Sequence, residues 1–207
     1  MTAAALDGLL TERATVARVH LTPEISARLQ QYFRLLTHWN RTINLTSLPL
    51  EPPTERAIDR LLIEPLSAIP FLAPHSSVWF DIGSGGGSPA IPLQIAHPVA
   101  RMVMVESRER KAAFLRQAVR ELQLAGAEVM CARIESLVEG DEHMAIADLV
   151  TIRAVRLSAS TFSQLDQLLK IGGQAVLFGT APQTLTPPRG LDVKIVDPPL
   201  VVLRKSQ

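Results

Sequence analysis

The chain has 207 residues, 47% of them hydrophobic and 20% charged, which excludes a disordered polypeptide and supports one well-filled core. A net charge of +1 offers no global field to attract nucleic acid, so charge has to be read locally. Cys131 is the sole cysteine, which excludes a disulfide framework and a cysteine-rich zinc site. The amino end has no export signal, and no apolar run approaches the ~18 residues that span a bilayer; the expectation is a cytoplasmic protein with no membrane partner.

Residues 21–39 place Ile25, Leu29, Tyr32, Phe33, Leu36 and Trp39 at helical spacing. They follow Thr22-Pro23-Glu24, which supplies a cap, a first-turn proline and a first-turn acid. A second helix is predicted over 54–69 through Ile58, Leu61, Leu62 and Leu66, with Pro65 bending its last turns. The pattern then changes to a β-rich run at 77–82 that ends in a glycine cluster. Further strands are predicted at 101–106, 127–131, 148–152, 174–178, 193–196 and 200–203, with helices at 109–124 and 160–169. Proline-rich stretches at 49–53 and 182–188 read as loops. Apolar strands separated by helices indicate the α/β class: a doubly wound, mostly parallel sheet, with the late strands as an antiparallel edge. The expected organisation is a helical extension, 1–73, on a Rossmann-like domain, 74–207.

Ligands bind such sheets beyond the carboxyl ends of the strands. There the sequence is Asp81-Ile82-Gly83-Ser84-Gly85-Gly86-Gly87-Ser88-Pro89, with Gly83, Ser84 and Gly85 opening the turn. Glycines allow positive φ and let a ligand approach the backbone. The dinucleotide pattern G-x-G-x-x-G would need glycine at Ser88. Asp81 would oppose a diphosphate but suits the cationic, phosphate-free S-adenosylmethionine; its alternative role is to cap the turn. Glu106 stands 25 positions after Asp81, at the end of the second strand, where an acid accepts hydrogen bonds from ribose hydroxyls. Ribose occurs in both cofactors, so Glu106 does not choose between them, and an ion pair with Arg108 or Arg110 is its other reading. Ile134 and Glu135 follow the third strand, where adenine would lie or where a helix is capped. Arg153, at the end of the fourth strand, suits a carboxylate or phosphate. No Asn-Pro-Pro-aromatic, P-loop or nucleophile-elbow motif occurs, and the histidines lack metal-ligand spacing, so no metal is expected.

Two stretches, His38-Trp39-Asn40-Arg41-Thr42-Ile43-Asn44-Leu45-Thr46 and Asp81-Ile82-Gly83-Ser84-Gly85-Gly86-Gly87 followed by Ile91-Pro92-Leu93, resemble the ribosomal RNA small subunit methyltransferase G family, also called glucose-inhibited division protein B. Glu106-Ser107, Lys111, Phe114-Leu115, Arg153-Ala154 and Gly172-Gly173 support the resemblance. It implies a class I methyltransferase that carries methyl from S-adenosylmethionine to N7 of a guanine in 16S ribosomal RNA. The partner implied is small-subunit RNA or the small ribosomal subunit, and a monomer is expected. The same resemblance puts Gly83, Ser88, Ile134, Glu135 and Arg153 at cofactor-contact positions. The chain departs from the family where Ser88 replaces an aromatic residue or leucine and Ala90 a glycine. Leu61-Leu62-Ile63-Glu64-Pro65 replaces His-Ile-Leu-Asp-Ser, and Phe178-Gly179 replaces Lys-Gly.

Candidate RNA contacts are Arg110, Lys111, Arg116 and Arg156, the first three read equally as a solvated helix face, with Arg34, Arg41 and Arg56 as a rival surface on the helical extension. The segment 101–120 carries six bases and two acids, whereas 121–150 carries one base and seven acids. Trp39 is read either as a base-stacking residue or as core. Other functions open at this point are a protein or small-molecule methyltransferase, a nicotinamide-dependent oxidoreductase and a noncatalytic binding module.

Overall fold

The computed structural model describes residues 3–73, 77–99, 101–139, 143–155, 157–179, 187–195 and 200–206. Seven strands form one sheet in the order β3-β2-β1-β4-β5-β7-β6: β1 (Val78–Ile82), β2 (Arg101–Val105), β3 (Ala127–Met130), β4 (Ala147–Arg153), β5 (Leu169–Phe178), β6 (Leu191–Ile195) and β7 (Leu200–Lys205). The first five pair in parallel. β7 runs antiparallel between β5 and β6, which is the antiparallel edge expected of strands with no helix between them. Order reverses between β1 and β4, so the crevice of a doubly wound sheet opens beyond Ile82 and Arg153.

The helices are α1 (Ala3–Val16), α2 (Pro23–Asn40), α3 (Glu55–Ile58), α4 (Glu64–Ser67), α5 (Ala90–Ala96), α6 (Glu109–Glu121), α7 (Ile134–Val138) and α8 (Ala159–Leu168). Thr22 caps α2 by accepting from the Ile25 N–H at 3.3 Å. No element was expected before residue 21, yet α1 forms there. Its buried stripe, Leu6, Leu10 and Ala14 at i, i+4 and i+8, is narrow and set among small and charged residues.

The helix expected over 54–69 is divided. A π turn at Asp59–Ile63 separates α3 from α4, and a 3₁₀ turn, Ile69–Phe71, follows. In the wide turn the Glu64 N–H bonds the Asp59 carbonyl five residues back. Pro65 has no N–H to return to the Leu61 carbonyl. The strand expected at 174–178 begins earlier, at Leu169, directly after α8. A register irregularity opposite Ala147 and Leu149 accommodates the added residues. Val196 and residues 182–186 lie outside the described residues, as does Arg156.

Apolar side chains pack on both faces of the sheet. One cluster joins Leu29, Tyr32, Phe33, Leu36 and Leu62 of the amino-terminal helices to Trp79, Met102, Phe114 and Leu115. The other lies under α8, around Phe80, Val150, Phe162 and Leu165. The extension therefore shares a core with the sheet. Trp39 is partly buried against this core, its ring edge-on to Phe114 at 5.8 Å. No helix among the described residues is long and apolar enough to cross a membrane.

Candidate functional site

A cleft of about 460 Å³ opens at the carboxyl edge of the sheet. Its sheet side is Gly83, Ser84, Gly85, Gly86, Ser88, Glu106, Lys111 and the turn after Arg153. Its other side is Leu36, the segment 45–48, Arg56, Arg60 and Leu61. Gly83, Gly85 and Gly87 all have positive φ. A Cβ at Gly83 would stand 2.7 Å from the Val155 side chain, whereas one at Gly85 would meet only the Gly83 carbonyl, at 3.7 Å. Position 85 thus opens onto the cleft, and a side chain there would fill it.

Glu106 is buried, and its two oxygens accept the N–H groups of Gly85 at 2.9 Å and Arg108 at 2.8 Å. The end of β2 therefore holds the glycine loop directly; the ion pair with Arg108 or Arg110 does not form. From the opposite side the Tyr32 hydroxyl donates to the Gly86 carbonyl at 2.7 Å, and a Cβ at Gly86 would lie 3.2 Å from Leu36. Burial pushes the Tyr32 phenol above its usual range.

Asp81 is fully buried beneath the loop. The Thr151 hydroxyl donates to its Oδ1, and the Trp79 indole N–H donates to Thr151 at 2.8 Å. Asp81 Oδ2 has no hydrogen-bond partner among the described residues. Burial pushes this carboxyl up to about 6, against hydrogen bonds involving Ser84 and Thr151 and the nearby Arg153 charge. The Ser84 hydroxyl also donates to the Asp81 main-chain carbonyl at 2.9 Å, tying the start of the turn to the end of β1.

Arg153, at the end of β4, reaches across to the π turn. Its Nη1 donates to the Arg60 carbonyl at 2.6 Å and reaches Glu64 Oε2 at 3.3 Å, and its guanidinium lies 4.8 Å from the Phe178 ring centroid. Glu64 also pairs with Arg60 at 2.7 Å, and the Ser88 hydroxyl donates to the Leu61 carbonyl at 2.8 Å. The π turn and Pro65 thus free two carbonyls, those of Arg60 and Leu61, and Arg153 and Ser88 cap them. Arg153 Nε and Nη2 are buried without hydrogen-bond partners among the described residues, and burial lowers the Arg153 pKa from its usual value. Gly179, at φ +72°, lies so close to Arg60 that a Cβ would meet the guanidinium at 2.7 Å.

Ile134 and Glu135 open α7 after β3, on the same sheet edge but outside the cleft lining; Ile134 is half-buried and Glu135 exposed. Among the expected RNA contacts, Lys111 lines the cleft and Arg110 does not. Arg41 pairs with Glu51 at 2.9 Å, and Arg34 lines a separate groove between α1 and α2. Residue patterns did not disclose the roles of Tyr32, Arg60, Glu64 and Thr151, which act through partners far along the chain. Asn40 was visible within its motif, but its task was not: its Oδ1 accepts the N–H groups of Leu45 and Thr46, each at 2.9 Å, fixing the segment that walls the cleft. The one local clue was Pro65, which leaves a carbonyl in need of a donor.

Sheet order, the glycine turn after β1 and the acid ending β2 define a class I methyltransferase fold, and solved structures agree. A putative methyltransferase, yhhF from Escherichia coli, matches with TM-score 0.52 and 15% identity over 68% of this chain and 81% of that one. A precorrin-6y C5,15-methyltransferase from Geobacter metallireducens matches with TM-score 0.53 and 19% identity over 69% and 86%. The sequence is more specific: residues 25–183 match the model of the rRNA small subunit methyltransferase G family, and the chain belongs to that family. A ribosomal RNA small subunit methyltransferase G from Neisseria gonorrhoeae is 36% identical over 83% of this chain and 81% of its own length. One from Syntrophotalea carbinolica is 32% identical over 83% and 76%. Membership sets aside the oxidoreductase left open by the loop and acid alone.

Proposed function

We propose that the chain binds S-adenosylmethionine in the glycine-loop cleft and methylates N7 of a guanine in 16S ribosomal RNA. The observation that supports this most is the glycine-rich turn at Gly83–Gly86 facing Glu106, in a chain of this family. The residues present fit the donor. The backbone of Gly83, Ser84, Gly85 and Ser88 forms the cradle, and the remaining lone pairs of Glu106 are free to take ribose hydroxyls. Ile134 and Glu135 stand on the adenine side. The unpartnered Asp81 Oδ2 and Arg153 Nε and Nη2 match an ammonium and a carboxylate, the two ends of an amino-acid group. When bound, S-adenosylmethionine supplies an electrophilic methyl on its sulfonium.

Guanine N7 carries a free lone pair at neutral pH, so the protein needs no general base. No histidine among the described residues lines the cleft. The task of these side chains is alignment, worth up to about 7–11 kcal/mol in favourable intramolecular systems. In this reading the extension 1–73 and the domain 74–207 act as one unit, and the chain works as a monomer.

The test is incubation of the purified chain with methyl-labelled S-adenosylmethionine and small-subunit RNA or particles. Label in 7-methylguanosine is the expected result. Label appearing instead in proteins or metabolites, with none in RNA, would transfer the activity to another substrate class.

A further inference from the structure

S-adenosylmethionine is a net cation, yet the cleft is lined by four cationic side chains, Arg56, Arg60, Lys111 and Arg153, against one carboxylate, Glu106. Glu64 answers part of this excess by bridging Arg60 and Arg153. Arg56 and Lys111 have no hydrogen-bond or ion-pair partner among the described residues. Arg56 stands on α3 of the helical extension and Lys111 on the first turn of α6, beyond Glu106. Two unanswered cations, one from each side of the cleft, raise the potential felt by a cationic donor and weaken its binding. They favour a ligand with negative charge.

We infer that Arg56 and Lys111 form a two-sided phosphate clamp at the cleft, holding the backbone of the RNA on either side of the guanine presented to the loop. The inference rests on the RNA reading above and adds the residues that grip the acceptor. It also chooses between the two RNA surfaces drawn from the sequence. Arg41 is already paired, Arg34 faces the other groove, and Arg116 pairs with Glu109 at 3.2 Å. One cation from the extension and one from α6 remain at the cleft.

The test is RNA binding by fluorescence anisotropy across a salt series, using a labelled small-subunit RNA transcript with native chain, Arg56→Gln, Lys111→Gln, the double variant and Arg120→Gln. Arg120 is exposed on the last turn of the same helix, away from the cleft. Each phosphate contact contributes about 0.7–0.9 to the slope of log K against log salt. The double variant should therefore lose about 1.5 of that slope and bind RNA roughly tenfold more weakly, while still binding S-adenosylhomocysteine by calorimetry. Arg120→Gln should keep the native slope. An unchanged slope in the double variant, or an equal fall in Arg120→Gln, overturns the clamp. Because binding is read without turnover, absence of methyl transfer would count against the guanine-N7 reading alone.

Discussion

Gly85 and Gly87 lie two positions apart in the same loop and must be glycine for different reasons. At Gly87 an added Cβ would come within 2.5 Å of the buried Ile91 and 3.3 Å of Leu115, so Gly87→Ala should destabilise the fold by roughly 2–4 kcal/mol through overpacking and left-handed backbone strain. At Gly85 the same methyl meets no core. Gly85→Ala should stay folded, losing about 1–2 kcal/mol, while binding S-adenosylhomocysteine at least about tenfold more weakly; chemical denaturation and calorimetry separate the two. Asp81 gives a pH signature. Its carboxyl is raised to about 6 by burial, so the unfolded chain releases this proton first. The stability it contributes is complete below about pH 4 and lost as pH rises through 6, by about 3 kcal/mol in all. Denaturation midpoints between pH 4 and 8 should show that fall in the native chain and lack it in Asp81→Asn.

The π turn with Pro65 makes a non-additive prediction at the scale of one element. Ser88→Ala leaves the Leu61 carbonyl without its hydroxyl donor and should cost about 1–2 kcal/mol. In Pro65→Ala the restored N–H can reach that carbonyl, so Ser88→Ala should cost much less in that background, a coupling a double-mutant cycle detects. Asn40 works similarly at the end of α2. Asn40→Leu strips an acceptor from two main-chain N–H groups and should destabilise by about 1–3 kcal/mol, whereas Asn40→Asp keeps the acceptor and most of the stability. Elements with strong local signals were legible in the sequence. Thr22-Pro23-Glu24 began α2 where expected, and the β-rich run, glycine loop and Glu106 fell at successive strand ends. α1 was hidden because its stripe is one residue wide. The π turn was hidden because it depends on carbonyls satisfied by Ser88 and Arg153, 27 and 93 positions from their partners.

At the scale of the whole molecule, the glycine loop is held from both sides. Glu106 fixes it from the sheet and Tyr32 from α2, while Leu36 and Leu45 pack against Gly86. That mutual support was illegible from sequence, where Tyr32 is one more apolar position on a helical stripe. Because the core runs unbroken from α2 into β1 and α6, a fragment starting at residue 77 should show no cooperative unfolding and no S-adenosylhomocysteine binding. Independent folding of that fragment would establish the extension as a separable appendage. The family's chemistry reaches RNA only if this joint cleft presents a guanine to the donor. The most direct measurement is mass spectrometry of nucleosides from small-subunit RNA of cells with and without the chain. Loss of one 7-methylguanosine, restored by the native chain and not by Gly85→Ala, is the expected result; identical 7-methylguanosine content in both would contradict it.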